Sequence, residues 1–473
     1  MPTIKPRLRR TARTLCLPLL VLLGCAPSFL RAEERERHMV VLALGPETTE
    51  LLRRIGEPLA QAADLPPKEV RFHVVLNPTL NAFALLNRHI VLNSGLLLAV
   101  RDRDELAGVM AHEIGHLKAG HHLQLESLSQ KLSIQTLITT AAGILAGMAS
   151  RDGRVSQAVI TGGAASAQTN MLESIRRKES QSDRIAVALL ARTGFNPDGL
   201  ASFMNRLVQQ QRIATLPPPY LLTHPVTTER LLDARRMAAE EPVHPNRRPD
   251  SEENRLLARV RAILEAETHD SPEESILRFR ARLKLDPGNL ALEQGLAEAL
   301  RAAGKLPEAE ALFSTLVKQH PDDFHLLRHR GVTRIEMGRF AEAEQDLKAA
   351  IAGLPDQADL QFRLAFALKE QQKPLEAMRI LRQLTAQYPD EPRYFYLLGI
   401  CEGQAGHHGE GHLALGRHNV LIQERDNALW HFQEAMRRLP AGSPEHAIAK
   451  REEKLAREMP RKPEPQEKER KRR

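Results

Sequence analysis

Residues Asp102 to Lys118 read DRDELAGVMAHEIGHLK, and their spacing predicts a single helix. An α-helix turns once every 3.6 residues, so His112 and His116, four apart, share a face, with Glu113 beside them. Two imidazoles on one face suit two nitrogen ligands to zinc, and the adjacent carboxylate suits the water that such a metal activates. The flanks, Leu106 to Met110 and Ile114 with Leu117, are apolar, so one side of the helix can be buried while the other presents ligands. The stretch therefore reads as part of a metallopeptidase. Three things must come from elsewhere in the chain: a third ligand, a substrate groove and a use for the remaining length.

A catalytic zinc keeps three protein ligands and one open position. Leu172 to Ala191 predicts an amphipathic helix ended by Gly194 and Pro197, with Glu179 and Asp183 four apart on one face. Glu179 is assigned as the third ligand to one Zn2+ per chain, and Asp183 is placed to accept from the outer nitrogen of a ligating imidazole. The competing reading is a surface salt bridge on a face that also carries Arg176, Arg177, Lys178 and Arg184. His121 and His122 are rival ligands, read as surface residues beyond the end of the helix.

Upstream, Glu47 to Ala62 has a helical pattern and Val70 to Leu76 alternates like a strand. After a turn at Asn77-Pro78, Ala82 to Leu86 and His89 to Leu92 read as a hairpin around Asn87-Arg88. A short helix, Gly95 to Val100, follows. Residues 1–32 read as an export signal: KPRLRRTAR, then an apolar run from Leu15 to Leu23 too short to span a bilayer in a mature protein. Two processing readings stand side by side, a lipobox at Leu22-Leu23-Gly24-Cys25 and a signal-peptidase site at Leu30-Arg31-Ala32. Either places the mature chain outside the cytoplasm, the first with a lipid-anchored membrane contact. Cys16 is removed and Cys25 removed or lipidated, leaving Cys401 without an intrachain disulfide partner.

Leu132 to Ser150 (LSIQTLITTAAGILAGMAS) and Val155 to Met171 carry no charge. Their Ser, Thr and Gln content favours a helical lid or plug over the site rather than a membrane span. A further helix is expected from about Pro197 to Ile213. Glu241 to Ser251 (EPVHPNRRPDS) is Pro-rich and aperiodic and marks a domain boundary, with a catalytic domain over 33–245. Beyond it Pro287, Pro321, Pro355 and Pro389 recur every 34 residues. So do Ala309, Ala343 and Ala377; Ala297, Gly331, Ala365 and Gly399; and Gly304, Gly338 and Gly406, with Gln372 in the gap. These series define tetratricopeptide repeats over 252–455, two helices per unit, with small residues where the helices cross. Leu256 to Leu285 reads as a degenerate first unit, with Ser275 at an alanine position. Trp430 to Leu439 is expected as the final helix. Residues 456–473 form a basic tail, read as solvated. His407, His408, His412 and His418 match no tight metal spacing and read as solvated. The net charge of +8 lies mostly at the chain ends, and no aromatic-interleaved basic patch points to nucleic acid.

The string NAFALLNRHIVLNSGLL (Asn81 to Leu97), then HEIGH, then ESQSD (Glu179 to Asp183) resembles the minigluzincin metallopeptidases of the CAAX-prenyl-endopeptidase and HtpX superfamily. With an export signal and repeats, the chain most resembles the periplasmic beta-barrel assembly-enhancing protease group of Gram-negative bacteria. The resemblance implies zinc at His112, His116 and Glu179, with Glu113 as acid/base and Asp183 behind a ligand. It implies that Asn81, Ala82, Phe83, Ala84 and Leu85 form an edge strand pairing with extended substrate, which suits main-chain recognition. It implies that His224, in Thr223-His224-Pro225, approaches the zinc as a removable fourth ligand or an oxyanion stabiliser, and that His224 and the following Arg230 count with Glu113 as catalytic residues. It implies unfolded or misassembled outer-membrane proteins as substrates and the outer-membrane insertion machinery as partner of the repeats. Ser182 stands where the family usually has Ala, and Leu86-Asn87-Arg88 where it often has a Pro-Gly-Gly-like turn, which bears on helix packing and hairpin shape. The expected fold is an α+β zinc peptidase domain followed by an all-α solenoid. Two rival readings are a repeat-based chaperone or adaptor with little proteolysis, and an integral membrane protease spanning at Leu132 to Ser150.

Overall fold

A computed structural model describes residues 45–121, 165–211, 220, 224–242, 251–268 and 271–460, all within one compact unit. The export signal, His122, Leu132 to Ser150, most of Val155 to Met171 and the end of the basic tail lie outside these residues.

Helix α1 (Pro46–Ala62) starts on a proline and buries Leu51, Leu52, Ile55 and Leu59 along one face. Strands β1 (Arg71–Val75), β2 (Ala82–Leu85) and β3 (His89–Asn93) form a sheet of order β1-β3-β2. β3 pairs parallel with β1 (Phe72↔Ile90) and antiparallel with β2 (Phe83↔Val91), so β2 is an edge strand. The β2–β3 loop turns with Asn87 and Arg88 both at positive φ, 59° and 62°. Two side chains bearing a Cβ thus occupy the conformation that glycines supply at low cost. Then follow α2 (Ser94–Ala99), α3 (Arg103–Lys118), α4 (Ala165–Thr193), α5 (Gly199–Gln211) and α6 (Thr228–Glu240). Asp102 caps α3, its carboxylate accepting the Glu105 N–H at 3.0 Å. The helix on which Glu179 lies begins at Ala165, seven residues before its predicted start. Among the described residues, no helix is long and apolar enough to cross a membrane.

Twelve helices follow among the described residues: α7 (Glu252–Thr268), α8 (Pro272–Leu285), α9 (Leu290–Ala302), α10 (Leu306–Gln319), α11 (Phe324–Glu336), α12 (Phe340–Gly353), α13 (Ala358–Glu370), α14 (Pro374–Gln387), α15 (Pro392–Gln404), α16 (His408–Leu421), α17 (Arg425–Arg438) and α18 (Pro444–Glu458). The segment from Trp430 is therefore not the final helix. It belongs to α17, and α18 runs to Glu458, into the segment read as tail. The sequence signal fades because Gln423 takes the next proline position, 34 after Pro389. Gly304, Gly338 and Gly406 turn the chain between paired helices at φ of 76°, 74° and 85°, and Gln372 does so at 58°. Gln372→Gly is therefore expected to raise the unfolding free energy by up to ~1 kcal/mol, because the side chain is exposed and its backbone strained. Urea denaturation checks this, and no gain would mean that the turn tolerates glutamine without strain.

The join between peptidase and repeats is intimate. Leu256, Leu257, Val260 and Leu264 of α7 are buried in the same core as Leu51, Leu59, Leu96 and Met110. Each such side chain contributes about 1.5–3 kcal/mol by leaving water. The Arg103 N–H, at the start of α3, donates to Asn254 Oδ1 at 2.8 Å, and its guanidinium pairs with Glu253 at 3.0 Å. Helix α7 thus leads into the repeats and is a wall of the peptidase core.

Candidate metal centre

Helix α3 is buried continuously from Glu105 to His116, an all-round burial that its own sequence pattern does not announce. Glycines let its neighbours approach closely. A Cβ on Gly108 would lie 2.5 Å from the Leu200 nitrogen, and one on Gly115 would lie 2.9 Å from the Ser182 carbonyl oxygen. Gly115, just before the second motif histidine, is therefore where α3 crosses α4, and the crossing brings Glu179 opposite His112 and His116. Ser182 fits there because it is small, although its buried hydroxyl has no hydrogen-bond partner among the described residues.

His112 Nε2 and His116 Nε2 lie 3.0 Å apart, and Glu179 reaches them at 3.3 and 3.2 Å respectively. All three residues are buried. A fourth group comes from the segment before α6: His224 Nδ1 lies 3.3 Å from His112 Nε2 and 3.1 Å from Glu179 Oε2. Nitrogens about 2.0–2.1 Å from a common tetrahedral zinc would be a little over 3 Å apart, which is the separation seen here. Behind this set, Asp183 Oδ1 lies 2.9 Å from His112 Nδ1. Arg230 donates to Asp183 from Nε and Nη2 at 2.8 and 2.9 Å and to the Pro225 carbonyl at 2.6 Å, and pairs with Glu179 at 3.1 Å. Thr227 caps α6 through the Arg230 N–H at 3.1 Å, fixing where that arginine starts.

Glu179 and Asp183 are thus buried groups rather than members of a surface salt bridge, whereas Arg176, Arg177, Lys178 and Arg184 on the same helix are exposed. His121 lies with its ring 5.7 Å from that of His116 and is not among the four converging residues. His407, His412 and His418 face separate partners, Glu402, His431 and the Pro392 carbonyl, and do not converge. Asn81 to Leu85 lie on or beside the edge strand β2, buried, with Leu80 accepting the Tyr220 N–H at 3.1 Å. Tyr220 escaped the sequence reading. Its ring packs 4.8 Å from that of His224, whose N–H donates to the Tyr220 carbonyl at 2.8 Å. The only signal was an aromatic one helical turn before the His-Pro pair.

The charge balance asks for a cation. Glu113, Glu179 and Asp183 are buried together with one guanidinium, Arg230, so the facing imidazoles or a metal must supply the remaining positive charge. Burial works against ionising Glu179, but the facing imidazoles outweigh it and hold its carboxyl far below the usual range. Burial likewise opposes a proton on His112, yet Asp183 and Glu179 override it and lift its pKa to about 10. Both Glu113 oxygens are buried without a hydrogen-bond partner among the described residues, with His224 Nε2 3.5 Å away. Three imidazoles and one carboxylate converging in such a field fit a divalent metal of zinc type.

Fold and site together define a metallopeptidase carried on tetratricopeptide repeats. Peptidase family M48 matches residues 46–238, and the tetratricopeptide repeat matches 270–329 and 334–401. The chain is 30% identical to a beta-barrel assembly-enhancing protease of Yersinia pestis, covering 87% of this chain and 84% of that one. It is 28% identical to the protein of that name in Escherichia coli K12, covering 85% and 81%. The chain belongs to the peptidase family M48, in the group of the beta-barrel assembly-enhancing proteases.

Proposed function

We propose that the chain is a zinc-dependent endopeptidase of the Gram-negative periplasm that hydrolyses misfolded or misassembled outer-membrane proteins and assists their assembly. The supporting observation is the buried convergence of His112, His116 and Glu179, with Glu113 beside them and Asp183 behind His112. The substrate class and the envelope location rest on the names of the relatives. The proposed domains are a peptidase over 33–245, preceded by an export signal over 1–32, repeats over 252–455 and a basic tail over 456–473. In this reading the repeats recruit the outer-membrane insertion machinery.

His112, His116 and Glu179 would hold the metal. Zinc, when bound, supplies Lewis acidity to a water and to the scissile carbonyl. Glu113 takes the proton of the attacking water and passes it to the leaving amine. Asp183, in ion-pair contact with His112 Nδ1, orients the His112 ring, and Arg230 holds Asp183 in turn. An extended substrate adds to the edge of β2 along Asn81 to Leu85 by main-chain hydrogen bonds.

His224 is the removable fourth ligand in this scheme, because its Nδ1 sits among the same donors. His224→Ala is therefore expected to cleave casein faster than wild type at equal zinc content. Metal analysis and casein cleavage on the two purified proteins test the reading. Failure of the wild type to retain zinc after dialysis would overturn the metal assignment. Slower cleavage by His224→Ala would assign His224 instead to stabilising the oxyanion.

A further inference from the structure

Glu47, in the first turn of α1, belongs by position to the peptidase domain, yet its partners lie in the repeats. It is 1% exposed. His329 Nε2 of α11 lies 2.5 Å from Glu47 Oε1, and Gln294 Nε2 of α9 donates to the same oxygen at 3.1 Å. Arg259 of α7 stands 3.9 Å from it, and His325 of α11 is 3.7 Å from the other oxygen. On its far side, His329 Nδ1 lies 2.5 Å from Glu298 Oε1 of α9. Three first helices of successive repeat pairs thus hold one carboxylate of the catalytic domain.

The geometry fixes the charge of His329. A neutral imidazole has one N–H and one lone pair, so with carboxylate oxygens at both nitrogens it would set a lone pair against one of them. Only the imidazolium sets positive charge against both, bonded to Glu47 and in ion-pair contact with Glu298. We propose that the His329 imidazolium, clamped between Glu47 and Glu298, is a proton-dependent latch that fixes the repeats to the peptidase domain.

The surroundings keep the latch closed near neutrality. Besides Glu47 and Glu298, His329 faces Arg328, which is neutralised by Asp359, and the ring of Phe313 on α10. Arg301 anchors Glu298 and Glu336 and pairs with Glu267 of α7, whose carboxyl pKa is held above the usual range by desolvation, and Arg259 is anchored by Asp323 and Gln294. Burial opposes the charge on His329, but Glu47 and Glu298 outweigh it and raise its pKa. Burial also opposes ionised Glu47 and Glu298. His329 and His325 hold the first well below the carboxylate range, and Arg301 and His329 do so for the second. A raised histidine contributes fully below its unfolded pKa and is lost as pH rises through the folded one; the depressed carboxylates are lost only as pH falls into the acid range. The latch therefore opens first on the alkaline side.

Hydrogen exchange on the full zinc-loaded chain, corrected for intrinsic rates, tests this at residues 46–52 and 324–332. Between the free-histidine pKa of about 6.5 and the raised pKa of His329, wild-type protection there is expected to fall about tenfold per pH unit, one proton's worth of linkage, and then to level off, while 392–404 stays flat. His329→Gln should exchange fast in both segments with no pH dependence, and Glu298→Gln should open at lower pH than wild type. Wild-type protection independent of pH from about 7 to about 10, or a His329→Gln profile matching wild type, would overturn the latch. Should His329→Gln fail to fold, the wild-type slope and the Glu298→Gln midpoint decide.

Discussion

Glu113→Gln is expected to bind one zinc per chain as the wild type does and to cleave casein about 10²–10⁴-fold more slowly, the usual contribution of a placed general base. The reasoning is local. Glu113 is fully buried, and its two oxygens have no hydrogen-bond partner among the described residues, so no structural role competes with a chemical one. The amide keeps the size of the side chain and removes only its basicity. It also removes a buried carboxyl group that has no hydrogen-bond partner among the described residues, so the variant should unfold at the same urea concentration or a higher one. Metal analysis, cleavage rate and urea midpoint measured together separate the alternatives. Cleavage within threefold of wild type would remove Glu113 from the reaction. If Glu113→Gln also rescued every defect of a deletion strain, the repeats, rather than proteolysis, would carry the main function.

The second large effect is expected at Arg230. Its guanidinium is buried between Asp183 and Glu179 and anchors the Pro225 carbonyl, one residue after His224. Burial works against its charge, but Asp183 and Glu179 more than restore it. Arg230→Met leaves both carboxylates without that charge, and breaking a buried pair this way costs about 3–5 kcal/mol. The loss should be full in chelator and smaller with zinc present, since a divalent ion supplies positive charge to the same two groups. Urea unfolding under both conditions measures the difference. Equal losses with and without zinc would mean that arginine and metal do not share those carboxylates.

Much of this site was legible because each half lies on one helix. A four-residue spacing places His112 with His116, and Glu179 with Asp183, whatever the helices pack against. The encounter of the two helices was less legible. Gly115 reads as a filler inside the motif, and only its approach to Ser182 shows why a side chain there would push Glu179 away. His224 entered through resemblance, because a histidine before proline in a loop has no period to place it. The repeats were legible from four series in register, and they faded where Gln423 replaced proline. Two features had no local signature. Gln372 adopts a glycine's backbone conformation without being glycine, and Glu47 meets His329 across a separation in sequence that no periodicity spans.

The dual membership of α7 sets an order of events during biogenesis. Leu256, Leu257, Val260 and Leu264 complete the core around Leu51, Leu59 and Met110, so the catalytic half lacks part of its interior until that helix has been synthesised. A chain made N-terminus first has both motif helices complete before this wall arrives. The nascent enzyme is therefore incomplete for as long as it is only an enzyme, and its maturation waits on the first turns of its own recognition scaffold.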